Sequence, residues 1–296
     1  MQNNKPIWFD KDKTTVANED TYQTIKHNKV DSNYTEINLG AKKVPYKIMV
    51  CTPCHSEVSM HYTQAVLKFQ IECMKRNILV SFSLLKSSLV TQGRNLCVAE
   101  FLNHEDNYEY LLFIDSDIDF KFDTIMKMLN ADKDVIANPY PLKHIDWNKI
   151  EKRIDQKGKM NGYTLSKQGY TWPVKLENGT DITVVDGVAE VTHAPTGCML
   201  IKREVFDKMI REYPNLKINQ PTVLNGEMVE KEYFYNFFDT YHEPETKRYY
   251  GEDFGFCKRW TEIGGKCHIL VDEYITHIGE YRYEGRLMDD LDFKKD

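Results

Sequence analysis

The stretch Tyr110-Leu-Leu-Phe-Ile-Asp115-Ser-Asp117-Ile-Asp119-Phe120 sets three carboxylates at alternate positions behind four apolar residues. The apolar run, Leu111 to Ile114, reads as a short buried strand. Asp115 and Asp117 then fall just past its carboxyl end, where ligands sit in open α/β sheets. There they can converge on one point. Two carboxylates so close repel unless a proton or a cation lies between them. A divalent ion that also carries phosphate oxygens meets that need. The bland alternative is a solvated acidic turn, and the strand directly ahead favours the metal site. An EF-hand loop is excluded. With Asp115 as position one, position six is Phe120 rather than Gly and position twelve is Met126 rather than Glu.

Other residues could do chemistry with these two. Arg94 opens a helix in Gly93-Arg-Asn95, where an arginine suits a diphosphate or a base edge; its bland reading is a surface arginine. Glu252 and Asp253 stand in the first turn of a later helix. They are either ordinary dipole partners or a general base held at a helix start. His277 follows the last strand and is either a metal ligand or a structural histidine. Lys143 lies in Asn138-Pro-Tyr-Pro-Leu-Lys143, a loop held extended by its prolines. Cys51-Thr-Pro-Cys54 invites a redox or zinc reading. But Cys51 looks like the last residue of a strand, and zinc lacks a second ligand pair at a finger spacing, so buried and loop thiols are favoured.

The elements that position these residues read in order. Tyr46–Cys51 and Ile78–Leu85 are strands, with a helix between them carrying Tyr62, Ala65, Val66, Phe69 and Cys73 on one face. A helix over 93–104 precedes the acidic strand. A short helix from Phe122, with Asp123 as N-cap, leads to a strand at 134–137. Strand, helix, strand, helix, strand is the pattern of a parallel sheet with crossover helices. From 148 to 193 the glycines Gly158, Gly162, Gly169 and Gly179 punctuate short β-prone pieces and point to antiparallel strands and long loops. Pro195–Ile201 turns into a buried strand, and a helix over Val205–Tyr213 follows. Residues 214–250 read as a mobile flap, with Tyr233-Phe-Tyr235 and Phe237-Phe238 more often core than substrate platform. A helix from Gly251 ends at Gly264-Gly265, and the last strand runs from His268 toward His277. The tail beyond Arg282 is expected to fray.

The 296 residues, 41% hydrophobic and 28% charged, suffice for a sizeable α/β core. A net charge of −6 argues against a nucleic-acid partner held by a basic surface. No apolar run nears the ~18 residues of a spanning helix, and no signal-peptide core opens the chain, so the expectation is a soluble, cytoplasmic protein with no transmembrane segment. Seven cysteines, an odd number, suggest reduced thiols.

Together the blocks Met49–Pro53, Gly93–Asn95, Leu111–Asp117, Pro195–Ile201 and Gly251–Trp260, continuing through Gly264-Gly265 to Gly279, resemble GT-A fold glycosyltransferases. The likeness is to viral and bacterial transferases similar to the large inverting family 2, and it spans about residues 46–285. It implies an α/β fold, a Rossmann-like, mostly parallel sheet flanked by helices with a smaller antiparallel acceptor-side half. The implied division is a polar extension over 1–44, a transferase domain over 45–285 and an acidic tail over 286–296. Within the domain, the nucleotide-binding half covers about 45–147 and the acceptor half about 148–285.

The resemblance also implies roles. Asp115, Asp117 and His277 would hold Mn²⁺ or Mg²⁺ on the donor's diphosphate, with Asp117 the direct ligand. Asp253 would be the catalytic base. Thr52 and Pro53 would border the nucleotide base and Arg94 the nucleotide, with Ser116, Lys143 and Glu252 also on the substrate side. The donor would be a UDP- or GDP-sugar and the acceptor a glycan or glycoprotein. A viral source would place the protein in an infected host cell. The nucleotide-contacting Asp common in family 2 has no clear counterpart, and the 214–250 insertion lies outside the pattern. Two other classes stay open. A sugar-nucleotide nucleotidyltransferase would want a Gly-rich phosphate loop, which Thr52-Pro-Cys-His55 is not. A catalytically inactive carbohydrate-binding protein would not need two strand-end acids, a helix-start acid and a late His.

Overall fold

The computed structural model describes residues 45–175, 182–224 and 227–291. The expected extension over 1–44, Gly179 and the last five residues of the acidic tail lie outside them. The strands are β1 (Lys47–Cys54), β2 (Leu79–Lys86), β3 (Tyr110–Ile114), β4 (Ile118–Asp119), β5 (Val135–Ala137), β6 (Val184–Val185), β7 (Val188–Val191), β8 (Cys198–Lys202), β9 (Thr222–Leu224), β10 (Glu227–Val229), β11 (Tyr241–Glu243), β12 (Arg248–Tyr250), β13 (Cys267–Leu270), β14 (Ile275–His277) and β15 (Tyr283–Gly285). The helices are α1 (Met60–Lys75), α2 (Val90–Asn103), α3 (Phe122–Asn130), α4 (Trp147–Lys157), α5 (Gly162–Ser166), α6 (Arg203–Glu212) and α7 (Glu252–Glu262).

An eight-stranded sheet in the order β2-β1-β3-β8-β5-β13-β7-β6 forms the centre. Only β8 and β7 run against the other strands. This is the expected Rossmann-like α/β architecture, a mostly parallel sheet flanked by helices with small antiparallel sheets beside it. Leu111 and Phe113 point into one core cluster, and Leu112 and Ile114 into the other. Burial on both faces is why β3 reads as a continuous apolar run. Each of these side chains is fully buried, which stabilises by about 1.5–3 kcal/mol per residue. The two halves expected from the sequence share this sheet, because β8 lies between β3 and β5.

Four expectations change. Between 147 and 166 the chain is helical rather than antiparallel. Asp146 caps α4, its carboxylate accepting from Lys149 N at 3.0 Å, and Trp147, Ile150 and Ile154 stand at helical spacing along it, a period that the reading from the glycines passes over. The N-cap position of α3 belongs to Lys121, and Asp123 sits in the first turn, facing the helix dipole. The described part of the chain beyond Arg282 is packed rather than frayed: β15 pairs with β14, Leu287 is buried, and Met288 N donates to Val271 O.

The fourth change concerns the segment read as a mobile flap, while the core reading of its aromatics holds for Phe234, Tyr235, Phe237 and Phe238. Phe234, Phe237 and Phe238 are core residues. The Asn95 amide donates to Phe238 O and accepts from Phe238 N, so a buried side chain satisfies both backbone groups of that residue. On the opposite side the segment lies against α7, where a Cβ on Gly255 would stand 1.9 Å from Asp239 O. Gly255→Ala must therefore push backbone away from backbone. It is expected to destabilise the chain by about 1–3 kcal/mol, the range for overpacking, read from the urea midpoint at unchanged slope.

Candidate active site

Backbone bonds hold the Asp115–Asp117 loop on three sides. Asp115 N donates to Gly197 O at 3.0 Å, Ser116 O accepts from Ser59 N at 2.8 Å, and Asp117 O accepts from Ile278 N at 2.7 Å. Ser59 is also the N-cap of α1, its hydroxyl accepting from Tyr62 N. Strand β14 pairs with β4, setting His277 opposite Ile118. Residues about 160 positions apart in sequence thereby meet at the carboxyl end of β3.

The two acids of the loop take different partners. Both Asp115 oxygens accept from Arg94 Nη2, at 2.9 and 3.2 Å, and Arg94 Nε donates to Glu252 Oε1 at 3.1 Å. Arg94 is only 3% exposed, with its guanidinium carbon 5.2 Å from the Phe113 ring centroid. The surface-arginine reading is therefore replaced by a buried bridge between β3 and α7. Burial disfavours the guanidinium charge, but Asp115 and Glu252 outweigh it, so the group is held protonated more firmly than usual. Asp117 instead lies 3.4 Å from His277 Nε2 and pairs with Lys143 Nζ. Burial raises its pKa, and the bonds with His277 and Lys143 more than reverse that, leaving it below the ordinary carboxylate value. The Lys143 stem crosses Gly279, where a Cβ would stand 3.0 Å from its Cδ.

His277 Nδ1 is 2.9 Å from Pro141 O. That carbonyl fixes the ring with Nε2 toward Asp117, the way outer-shell carbonyls orient metal-ligating histidines. Tyr140 packs edge-on against His277 at 4.9 Å and lies over Gly197, where a Cβ would be 2.5 Å from the ring. Among the described residues no group of three or more His, Cys, Asp and Glu side chains forms a ready metal site. Asp117 and His277 supply two donors, a set that fits a hard divalent ion completing its shell with phosphate oxygens and water.

Asp253 stands next to Glu252 but has no cationic partner within ion-pair distance among the described residues; Phe254 N donates to its Oδ1 at 2.8 Å. Burial first, and the neighbouring Glu252 second, push its pKa up to about 6. An acid whose pKa rises on folding favours the native state while protonated. That contribution is fully present below the unfolded value of about 4 and is lost as pH rises through about 6.

A cavity of about 260 Å³ adjoins these groups, lined by Pro53, Cys54, His55, Ser87, Ser88, Val90, Arg94, Asp115, Ser116 and Asp117. Thr52 is not brought to it. That residue is fully buried, with its hydroxyl 2.7 Å from the Tyr62 hydroxyl. Ser87, Ser88 and His55 line the cavity without having been singled out in the sequence. Their available signal was position, since both loops follow the carboxyl ends of sheet strands. A larger cavity of about 560 Å³, near Lys127, Lys133 and His268, lies by the amino ends of β5 and β13 and holds none of these groups. Cys51 is buried, and burial pushes its thiol well above the usual range, away from the thiolate that redox chemistry needs.

No protein-family model matches the chain, and no curated protein does. Among solved structures, A197 from STIV is similar at 18% identity and a TM-score of 0.44, covering 84% of this chain and 95% of its own. A 4-diphosphocytidyl-2C-methyl-D-erythritol synthase from Anaerococcus prevotii DSM 20548 is similar at 10% identity and a TM-score of 0.29, covering 59% of this chain and 80% of its own. A glycosyltransferase involved in the glycosylation of the major capsid of PBCV-1 is similar at 10% identity and a TM-score of 0.24, covering 57% of this chain and 67% of its own. At these identities and scores the likenesses do not bear on what this chain does. No helix among the described residues is long and apolar enough to cross a membrane.

Removing Arg94 leaves two carboxylates facing each other without a cation. Arg94→Met is expected to lower unfolding free energy by about 3 kcal/mol, the low end for breaking a buried pair because Asp115 is 28% exposed. A denaturant midpoint within error of wild type would return the bridge to a surface role.

Proposed function

We propose that the chain is a metal-dependent glycosyltransferase that moves a sugar from a nucleoside-diphosphate sugar to an acceptor hydroxyl, with inversion. The observation that carries this reading is the convergence of four elements on one cleft. The acidic loop after β3, His277 of β14, Arg94 of α2 and the acidic head of α7 come together beside a cavity at the carboxyl ends of β1, β2 and β3. The donor class is a UDP- or GDP-sugar, and the acceptor class is a glycan or glycoprotein.

Each role follows from a residue's surroundings. Asp117 and His277 would hold Mn²⁺ or Mg²⁺, which would offset the charge on the leaving diphosphate. Lys143 adds a positive charge beside Asp117. Arg94 keeps Asp115 and Glu252 in place and lines the nucleotide side. Glu252 is committed to Arg94 and so is not free to accept a proton. Asp253 is not so committed, and a carboxylate that titrates near 6 is both ionised and appreciably basic at neutral pH, as a general base must be. A one-step displacement needs the base on the face opposite the leaving diphosphate. Asp253, on the second half of the chain, is the candidate for that side.

Two experiments test the reading. Nucleoside diphosphate should bind much more tightly with Mn²⁺ than with EDTA, and Asp117→Ala should remove most of the difference; equal affinity in EDTA would sink the shared metal site. Asp253→Asn should keep donor binding yet lose at least ~10²-fold in turnover. Wild-type turnover should fall as pH drops below about 6, where Asp253 takes up its proton, and the Asn variant should lack that limb. NMR of the product's anomeric centre should show inversion, and a retained configuration would overturn the role of Asp253.

A further inference from the structure

The loop after β5 carries an aromatic residue to which the roles above give no part. Tyr140 lies between Pro139 and Pro141. The two prolines fix their own φ and hold the residues before them, Asn138 and Tyr140, in extended backbone. Bonds on either side anchor the loop: Asn138 N donates to Cys198 O at 2.9 Å, and Leu142 N donates to Thr171 O at 2.8 Å. From this rigid base the side chain lies over Gly197, where a Cβ would stand 2.5 Å from a ring carbon and 2.8 Å from the hydroxyl. Tyr140 thus fills the volume that a side chain at 197 would take. Gly197 directly precedes β8, which lies between β3 and β5, and its carbonyl accepts from Asp115 N at 3.0 Å. The ring therefore caps the sheet beside Asp115.

The side chain reaches from one half of the chemistry to the other. Its ring packs edge-on against His277 at 4.9 Å, on the metal side. Its hydroxyl has the Gly197 N–H directed at the oxygen and lies within the fields of Asp115, Arg94 and Asp253. A one-step displacement sets the transferred sugar between a metal-held diphosphate and the base, and Tyr140 stands between His277 and Asp253. A phenol both accepts and donates, so with an N–H on its oxygen its own proton remains to be given. A second donor is left over nearby. Arg94 Nη1 is buried without a hydrogen-bond partner among the described residues, and Arg94 lines the cavity. A buried donor without an acceptor is costly, and a ligand oxygen removes that cost. The phosphate oxygens are matched by the metal pair and Lys143. The sugar beside them brings hydroxyls, neutral acceptors suited to a neutral phenol.

We infer that Tyr140 is a donor-sugar residue: its ring forms the floor under the transferred sugar, and its hydroxyl donates to one of that sugar's hydroxyls. This rests on the glycosyltransfer reading and adds to it the residue that selects the sugar of the donor.

The test uses the full chain with Mn²⁺ and reads affinity by calorimetry. The probes are UDP, GDP, UDP-glucose, UDP-galactose, UDP-N-acetylglucosamine and GDP-mannose. Tyr140→Phe keeps the ring against His277 and Gly197 and removes only the hydroxyl. It should bind the free nucleoside diphosphate as wild type does. It should bind the matching sugar nucleotide roughly threefold to tenfold more weakly, the range of one neutral hydrogen bond. Against wild type, one monodeoxy analogue of that donor should show the same loss, and Tyr140→Phe should lose nothing further with it. A merely structural role would not produce that match. Should melting show that Tyr140→Phe has not folded, Tyr140→Leu, which keeps apolar bulk over Gly197, gives the same comparison. An equal loss for the free diphosphate would make Tyr140 a support of the metal site and overturn the assignment. Unchanged sugar-nucleotide affinity in a folded variant, with diphosphate binding still dependent on Mn²⁺, overturns the role of Tyr140 and leaves glycosyltransfer standing. No binding of any sugar nucleotide to wild type overturns both.

Discussion

The Arg94 guanidinium, buried between Asp115 and Glu252, is the contact on which the rest of the site depends. A buried charge is tolerated only when paired and hydrogen-bonded. Here the two partners come from the end of β3 and the start of α7, elements more than 130 residues apart in sequence. One desolvated cation therefore fixes the distance between the acidic loop and the acidic helix head. It also divides the carboxylates by role. Asp115 and Glu252 share the one charge of Arg94, while Asp117 and Asp253 lie outside that pairing.

The same turn of α2 does a second job. Asn95 pairs with both backbone groups of Phe238, so the segment carrying three core phenylalanines is locked against α2. Gly255 admits the other side of that segment against α7. Adjacent residues of one helix, pointing about 100° apart, thus tie the acidic loop and the 234–239 segment to the same rigid element. The helix can carry both tasks because it is buried almost all round, from Gly93 to Leu102.

Electrostatics separate two environments within the cleft. Asp117 meets His277 and Lys143, and its proton affinity falls. Asp253 meets burial and Glu252, and its proton affinity rises. Two carboxylates whose surroundings drive them in opposite directions are what a metal-side ligand and a general base require.

The parallel half of the fold was legible in the sequence because fully buried strands must be apolar throughout, as β3 is, and because a strand end marks where ligands sit. The acidic loop, the helix head at Glu252–Asp253 and the strand end at His277 were legible for the same reason: each is a local pattern at an element boundary. What needed the tertiary structure was every pairing across the chain. That Arg94 is interior, that Thr52 is occupied by Tyr62, and that Asn95 holds the backbone of Phe238 follow from contacts between distant segments, which no local window contains. Helix α4 was legible as well, since Asp146 caps it and Trp147, Ile150 and Ile154 recur at helical spacing, but the glycines around it outweighed that signal. Residue type and local spacing thus marked the element boundaries where the acids, the arginine and the histidine stand, and long-range packing decided which of them pair.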